Sequence, residues 1–229
     1  MKIRQLFDYE TWTYTYLLWD EDTKEAAVID TVAEQVERDI QHIEELGLKV
    51  KYLLETHIHA DHITGAGPIR KHTGAKIVVH KNSGSECADI LAEEGDSFML
   101  GQQSIRVLHT PGHTDNDITY QIDGAVFTGD TLLVRDCGRT DFQLGSNEAM
   151  YESLTEKLFK LPAETLVFPA HDYKGFSQST IGEEVEYNSR VGKGKSFEDF
   201  SVIMDNLNLP RPRKIDIAVP GNMQCGNVA

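Results

Sequence analysis

The stretch Thr56-His57-Ile58-His59-Ala60-Asp61-His62 places three imidazoles and one carboxylate within a few residues of one another. It follows residues 50–54, an apolar segment that predicts a short buried strand. Because side chains of an extended chain repeat every two residues, His57 and His59 point the same way. The turn that follows can aim the aspartate and the last histidine at the same space. Neutral imidazole and carboxylate are ligands of Zn, Fe, Mn and Ni, so the stretch predicts a metal site.

Three further residues of metal-binding type follow predicted strands, where α/β folds place ligands. His113 comes after the strand 104–109, Asp130 after the strand 125–128, and His171 after the strand 165–168. Each alone has another explanation: a turn histidine, a helix-capping aspartate or a surface histidine. Together they add to the metal site predicted from residues 56–62.

Hydrophobic periodicity and turn residues predict the remaining elements. Strands are predicted at residues 3–7, 13–19, 26–29, 50–54, 76–80, 104–109, 118–122, 125–128 and 165–168. Helices are predicted at residues 36–46, 63–72, 83–91, 147–161, 181–190 and 197–207, and the tail from Pro210 as partly strand-like. This order predicts mixed sheets with helices outside them, an α/β or α+β sandwich.

The 229 residues suit one domain, 1–229, because single hydrophobic cores stop growing at roughly 250–300 residues. Residues from about 191 to 229 are expected to form a C-terminal helix and a tail that pack on it. No apolar run approaches the roughly 18 residues that span a bilayer. The N-terminus lacks the apolar core of a signal peptide, so we expect a cytoplasmic protein.

Charge and cysteine content exclude several classes of protein. The formal net charge of -15 argues against binding nucleic acid, which requires basic residues, and against anionic membrane surfaces. The chain has an odd number of cysteines, Cys87, Cys137 and Cys225, and no two of them form a CxxC motif. They predict reduced thiols in a reducing compartment, with Cys137 as a structural residue.

The pattern HxHxDH, followed at this spacing by His113, Asp130 and His171, resembles the metallo-β-lactamase superfamily. The resemblance implies an αββα sandwich: two mixed β-sheets face to face, helices on both outer faces and the metal at one edge. In dimetal members, one metal would take His57, His59 and His113, and the other Asp61, His62 and His171, with Asp130 bridging them.

A closer resemblance, to the persulfide dioxygenases, covers nearly the whole chain. It rests on residues 56–65 (THIHADHITG), 110–113, 127–140 (FTGDTLLVRDCGRT), 141–143, 168–176 (FPAHDYKGF) and 215–226 (IDIAVPGNMQCG). The segment CGRTDF, residues 137–142, is the most discriminating. The related glyoxalase II enzymes usually carry histidine at the position of Ile58. They also have a helical C-terminal domain, for which too few residues follow His171 here.

The resemblance implies one Fe(II) per chain, held by His57, His113 and Asp130 in a facial triad that leaves positions for substrate and O2. The implied reaction oxidises glutathione persulfide with O2 and water to sulfite and glutathione, in sulfide catabolism or detoxification. Four other residues would surround these ligands, orient them and transfer protons: His59, Asp61, His62 and His171. The alternative is a glyoxalase II-like hydrolase of glutathione thioesters, with two Zn, Fe or Mn ions on all seven residues.

Two residues are candidates for substrate contact. Arg139 suits a glutathione carboxylate, with a surface or structural salt bridge as the alternative. Tyr173 is placed to hydrogen-bond substrate or a metal-bound species, with a packed aromatic as the alternative. Many family members carry a Pro-Gly pair directly after His113-Thr114, where this chain has Asp115-Asn116-Asp117, and Asp115 and Asp117 add negative charge near His113. Their effect on substrate affinity and loop geometry is left open by the sequence.

Two kinds of protein partner are hypotheses at this point. Residues 215–226 are apolar enough to pack on another copy of the chain, which suggests a homo-oligomer. Some members of the family are fused to a sulfurtransferase domain, which is not recognisable in this sequence. A separate sulfurtransferase is therefore a hypothetical partner.

Overall fold

Two six-stranded mixed sheets lie face to face in the computed structural model, which describes residues 1–227. The first sheet has the order β1 (Lys2–Asp8), β2 (Thr13–Trp19), β3 (Glu25–Ile29), β4 (Lys49–Leu54), β5 (Lys76–His80) and β6 (Ile90–Ala92). The second contains β7 (Ser97–Leu100), β8 (Gln103–His109), β9 (Ile118–Ile122), β10 (Ala125–Gly129), β11 (Leu166–Pro169) and β12 (Ser179–Thr180). In the first sheet β3 to β6 are parallel, and in the second only β10 and β11 are parallel.

Helices cover both outer faces of the sandwich. They are α1 (Val36–Glu45), α2 (Ala66–Thr73), α3 (Asn147–Glu152), α4 (Ile181–Tyr187), α5 (Phe197–Asp205) and α6 (Ile215–Met223). The first two pack on the outside of the first sheet, and α3, α4 and α5 on the outside of the second. Within residues 1–227, no helix has both the length and the apolar character needed to cross a membrane.

The alternation of side chains in β2 explains how one strand serves two cores. Tyr14, Tyr16 and Leu18 point between the sheets, where Tyr16 meets Phe127 of β10 at 5.0 Å between ring centroids. Leu17 and Trp19 point outward, beneath α1 and α2. Because β2 is buried on both faces, every position of its sequence, TYTYLLW, carries an aromatic, a β-branched or a leucine side chain. The predicted αββα sandwich of the metallo-β-lactamase type is confirmed.

Two predicted elements are wrong. Residues 83–91, predicted as a helix, form the end of a 3-10 turn at Lys81–Ser83, a loop and the start of β6, because Gly84 takes a left-handed conformation (φ +67°). The tail, predicted as partly strand-like, forms α6 although Pro220 lies inside it. Proline is unfavourable within a helix, so tertiary packing of buried Ala218, Gly221 and Asn222 outweighs local propensity here.

The prediction for two of the cysteines is also wrong. Cys87 and Cys225 form a disulfide, with their Cα atoms 6.0 Å apart. The pairing joins residues 138 positions apart, and sequence spacing alone does not reveal such proximity. Cys137 is a buried free thiol, as expected of a structural residue. The end of the predicted tail, residues 228–229, lies outside the described residues.

Candidate active site

The seven predicted metal-binding residues meet at one edge of the sandwich, where β4, β10 and β11 end. The ring centroids of His57 and His59 are 4.0 Å apart, and those of His57 and His113 are 5.0 Å apart. Asp130 approaches this group from the end of β10, and His171 from the end of β11. Parallel pairing of β10 with β11 places both strand ends at the same edge.

The open trio consists of His57, His113 and Asp130, and the last two of these line a cavity of about 470 Å³. Its members each offer one donor atom, and these atoms all lie within 4.8 Å of one another. His113 Nε2 is 3.6 Å from Asp130 Oδ2, and both side chains keep a small exposed area. Two imidazoles and one carboxylate that converge beside a cavity form the donor set of a facial triad.

Hydrogen bonds fix which nitrogen of each open-trio histidine is available. Nδ1 of His113 donates to the Arg139 carbonyl at 2.7 Å, so Nε2 faces Asp130 without a proton. The Thr56 hydroxyl donates to Asp30 at 2.8 Å, and it therefore accepts from Nδ1 of His57 at 3.1 Å. The Nε2 atoms of both histidines are thus left free to bind a metal.

A glycine allows this close arrangement in the segment CGRTDF. A Cβ atom on Gly138 would lie 2.5 Å from the Asp130 carbonyl oxygen and 3.0 Å from Nδ1 of His113. Any side chain at this position would therefore displace two members of the open trio. This contact gives a physical reason why glycine stands at position 138.

The buried trio, His59, Asp61 and His62, lies on the other side of His57. Its donor atoms also lie within 4.8 Å of one another, and Nδ1 of His62 is 3.0 Å from Asp61 Oδ2. Both histidines are buried. Behind them, Asp30 lies 3.2 Å and Glu55 3.8 Å from Nε2 of His59.

Several buried polar atoms of the site lack a hydrogen-bond partner within residues 1–227. They are Nδ1 and Nε2 of His59, Nε2 of His62 and Oδ1 of Asp130. An unsatisfied buried polar atom costs about 1–3 kcal/mol, so such atoms are rare without a reason. A bound cation would satisfy the Asp130 oxygen and the one nitrogen of each neutral imidazole that carries a lone pair. The donor set therefore fits a metal centre.

Burial and neighbouring charges set the protonation states of the histidines. Burial, reinforced by nearby His59 and His113, holds the pKa of His57 well below its usual range. Burial and His62 do the same to the pKa of His59. Neutral imidazoles result, as metal binding requires.

His171 and Asp61 form a charged pair beside the open trio. Burial opposes the charged form of His171, but the carboxylates of Asp130, Asp61 and Asp30 outweigh it and raise its pKa. Burial likewise opposes ionisation of Asp61, but His62 and His171 keep its pKa well below the usual range. Nε2 of His171 is 3.7 Å from Asp61 Oδ2. Both residues line the cavity, so a proton donor and an acceptor face bound substrate.

Arg139 lines the cavity, but intramolecular contacts occupy most of its guanidinium. Nε and Nη2 bond the two Asp141 oxygens at 2.6 and 2.8 Å. Nη1 donates to the Pro210 carbonyl at 2.6 Å, and Nη2 approaches the Leu209 carbonyl at 3.4 Å. Leu209, Pro210 and Pro212 form the outer wall of the cavity. Arg139 therefore holds this wall, and one of its five N–H groups remains for a ligand.

Tyr173 also lines the cavity, two residues beyond His171. Its ring is parallel to that of His171, at 6.0 Å between centroids, and lies 6.3 Å from Trp12. The residue is 60% exposed, so the ring is not packed in a core. The phenol is thus available at the cavity mouth.

The two extra aspartates near His113 have structural roles. The Asp117 carboxylate accepts hydrogen bonds from the Thr114 amide at 2.8 Å and the Thr114 hydroxyl at 2.7 Å. Burial raises the pKa of Asp117 to about 7. The Asp115 carbonyl bonds Nε2 of His109 at 3.0 Å. Neither aspartate lines the cavity, and the hydrogen bonds of Asp117 to Thr114 hold the loop around His113.

Sequence reasoning missed the side-chain amides that hold the metal-binding loop. Asn116 accepts from the Ile58 amide at 3.0 Å, and Gln143 donates to the Ile58 carbonyl at 2.7 Å. Asn222 bonds three more backbone groups of the loop. Gln143 and Asn222 lie in segments that carry the family resemblance, which was the available signal. Their function was not readable because the contacts cross long stretches of chain.

Cys137 lines the cavity but is chemically unreactive. Burial raises the pKa of its thiol to about 12, although the nearby Arg190 opposes this shift. Nη1 of Arg190 donates to the Cys137 carbonyl at 2.6 Å. A thiol with so high a pKa stays protonated and is a poor nucleophile.

Known proteins resemble this chain over most of its length. A sequence profile described as the Metallo-beta-lactamase superfamily matches residues 12–171. The chain is 48% identical over 227 residues to the mitochondrial persulfide dioxygenase ETHE1 of Mus musculus. The alignment covers 98% of this chain and 88% of that protein. The Homo sapiens protein of the same name is 47% identical over the same shares. The crystal structure of ETHE1 from Myxococcus xanthus superposes with a TM-score of 0.96 at 54% identity, covering 99% of this chain and 100% of that chain.

Proposed function

This chain belongs to the metallo-beta-lactamase superfamily and, within it, to the persulfide dioxygenases, and we propose that it uses one Fe²⁺ to oxidise glutathione persulfide. The reaction consumes O2 and water and yields glutathione and sulfite. Both atoms of O2 and the oxygen of water end in sulfite, the bond between the two sulfurs breaks, and two protons are released. The observation that carries the proposal is the open trio beside the cavity.

The open trio would hold the iron through His57, His113 and Asp130. Bound Fe²⁺ supplies the open coordination positions and the redox chemistry that a persulfide and O2 require. The chain contributes the orientation of the donors, because the Arg139 carbonyl and the Thr56 hydroxyl fix the two imidazoles. The three donors already converge in the structure, so the loop would not need to rearrange to bind iron.

Protons released in the reaction require acceptors close to the cavity. Asp61 Oδ2 accepts a hydrogen bond from Nδ1 of His62 and also faces Nε2 of His171. The neighbouring carboxylates raise the pKa of His171, so this histidine can hold a proton and transfer it. We therefore propose that Asp61 and His171 move protons, while His59 and His62 orient them.

The cavity is proposed to bind the glutathione part of the substrate. Arg139 keeps the outer wall in place through the Pro210 carbonyl and offers its remaining N–H group to a carboxylate. The phenol of Tyr173 is placed to hydrogen-bond the persulfide or the oxygen that it receives. Apolar wall residues such as Leu133 and Leu209 exclude water from the reacting sulfur.

A dimetal hydrolase of glutathione thioesters is the second candidate. It is favoured by the buried trio, whose donors converge as closely as those of the open trio. In that case His59, Asp61, His62 and His171 would join the open trio in holding two Zn, Fe or Mn ions, which would supply an activated hydroxide for hydrolysis of the thioester.

Oxygen uptake by protein of defined metal content distinguishes the two activities. The protein is purified anaerobically, loaded with Fe²⁺ and supplied with freshly prepared glutathione persulfide. We expect rapid O2 uptake with stoichiometric sulfite, which a zinc-loaded sample and a His113→Ala variant should both lack. Hydrolysis of a glutathione thioester by the zinc form, without O2 uptake by the iron form, would overturn the proposal in favour of the hydrolase.

A homo-oligomer, a separate sulfurtransferase and a cytoplasmic location are further proposals. Exposed Ile217 on α6 and Val202 on α5 support self-association through the C-terminal helices. Light scattering that gives a monomer at working concentration would rule it out. A sulfurtransferase fits because transfer of sulfane sulfur to a thiol is one reaction that makes a persulfide. It would be rejected if neither protein changed the turnover of the other.

A further inference from the structure

The C-terminal segment passes behind the metal-binding loop and contacts it through one buried side chain. Asn222, on α6, is 5% exposed. Its Oδ1 accepts a hydrogen bond from the Thr64 amide at 2.8 Å. Its Nδ2 donates to the carbonyls of His59 and His62, each at 2.9 Å. One carboxamide therefore holds three backbone groups of the loop.

These three contacts matter because the loop has no regular secondary structure of its own. Buried backbone amides and carbonyls need partners, and residues 56–65 form no helix or strand that would pair these groups within the segment. The carbonyls of His59 and His62 belong to the same backbone units as two histidines of the buried trio. Holding these carbonyls on one carboxamide fixes the turn that aims both imidazoles.

The position of Asn222 is itself fixed by contacts around the end of α6. Cys225 is joined to Cys87 by the disulfide, and its carbonyl accepts from the Gly67 amide at 3.0 Å. The Met223 carbonyl accepts from the Glu86 amide at 3.1 Å. None of these contacts involves a metal-binding residue. The carboxamide is therefore held ready independently of the loop that it organises.

We propose that Asn222 is a positioning residue for the metal centre. By fixing the backbone of residues 59–64, it keeps the buried trio aligned with the open trio. Removal of its donors frees the His59 and His62 carbonyls, and the imidazoles then lose their common orientation. The expected consequence is weaker metal binding, even though Asn222 touches no metal ligand atom. Only the activity measurement of this proposal rests on the persulfide dioxygenase function.

Metal affinity of substituted apo-protein tests the proposal. Fe²⁺ is titrated anaerobically into the wild type, Asn222→Ala and Asn222→Asp, with no substrate present. Asn222→Ala removes all three bonds, whereas Asn222→Asp keeps the acceptor for the Thr64 amide and loses both donors. Asp216→Asn, an exposed change on the same helix, is the matched control. We expect the Kd for Fe²⁺ to rise about 10-fold or more in both Asn222 variants and to stay within about twofold in the control.

Apo-protein stability separates positioning from a merely structural role. Chemical denaturation without metal is measured for each variant. A loss of stability with an unchanged Kd for Fe²⁺ would overturn the proposal. If Asn222→Ala does not fold, the near-isosteric Asn222→Asp decides the question by the same comparison.

The two proposals fail in distinguishable ways. Fe²⁺ affinity is measured without persulfide, so a raised Kd supports the role of Asn222 even if the iron protein takes up no O2. Conversely, normal Fe²⁺ affinity in both variants rejects the role of Asn222 and leaves the dioxygenase proposal intact. In active protein, we expect kcat at saturating Fe²⁺ to fall with little change in KM, because Asn222 does not line the cavity.

Discussion

The open trio and the buried trio contain the same kinds of ligand at the same spacing, but the protein surrounds them differently. The open trio borders the cavity, and its histidines bond uncharged groups, a backbone carbonyl and a threonine hydroxyl. The buried trio is backed by two buried carboxylates, Asp30 and Glu55. By residue type the two trios are equivalent donor sets. The comparison teaches that their surroundings, and not their residue types, give them different functions.

The charge state of the buried trio depends on the two carboxyl groups behind it. Burial raises the pKa of Asp30 to about 6 and that of Glu55 well above its usual range. Interacting buried carboxyls and imidazoles can store and transfer protons as a group. In their ionised forms the same carboxyls would favour a second cation. The experiments below are chosen to separate these two possibilities.

Substitution of Asp130 should give the largest effect, because this carboxylate serves both sides of the site. Its oxygens lie 3.6 Å from Nε2 of His113 and 3.8 Å from Nε2 of His171. Asp130→Ala is expected to lose bound iron and to lower O2 uptake at least about 10³-fold, or about 4 kcal/mol. Metal analysis and an oxygen electrode measure both. Asp123→Ala, in an exposed turn, is the control, and full retention of one iron by Asp130→Ala would show that the carboxylate is not a ligand.

The carboxyl group of Asp117 supports the loop around His113, and its ionisation predicts a specific dependence of stability on pH. Its folded pKa of about 7 exceeds the usual value of 3.8, so the folded protein binds its proton more tightly than the unfolded chain. The contribution of Asp117 to the stability of the apo-protein therefore falls as pH rises from about 4 to about 7, by at most about 1.4 kcal/mol per pH unit. Asp117→Asn removes this contribution, so the free energy of unfolding of the variant should change less negatively with pH than that of the wild type. Denaturation across this range measures it, and identical slopes in the two proteins would contradict the prediction.

His62→Ala tests whether the buried trio binds a metal of its own. If it only orients neighbouring groups, the variant still takes up one Fe²⁺ per chain at saturation, with affinity reduced about 10- to 100-fold. Metal content after dialysis against excess Fe²⁺ measures this stoichiometry. Two ions in the wild type and one in His62→Ala would instead establish a dimetal centre.

Tyr173→Phe should give the smallest effect and concerns the cavity alone. Loss of one hydrogen bond to substrate costs about 1.4 kcal/mol, which lowers kcat/KM about tenfold. Iron affinity should not change, because the phenol touches no member of either trio. Tyr187→Phe is a matched control, since Tyr187 is equally exposed and lies outside the cavity. Equal kinetics in Tyr173→Phe and wild type would remove Tyr173 from the substrate site.

Much of the fold and the whole donor set could be predicted from local patterns. The alternating strand 13–19 and the loop 56–62 carry their signal within a few residues, because period and residue type suffice. The helix α6 could not be predicted, since Pro220 and scattered apolar residues hide its period. A reducing compartment was predicted from cysteine number, yet Cys87 and Cys225 pair, as is more usual in oxidising compartments. The cytoplasmic location stays a prediction.

The sequence by itself determined the family, the αββα architecture and the seven candidate metal-binding residues. Tertiary structure alone decided how these residues divide into an open and a buried trio, and which amides hold their loop. It also showed that the Arg139 guanidinium is mostly engaged by Asp141 and the Pro210 carbonyl. The physical reason is that hydrophobic period and ligand type are local properties of the chain. Burial, charge environment and hydrogen-bond partners arise only when distant segments pack together.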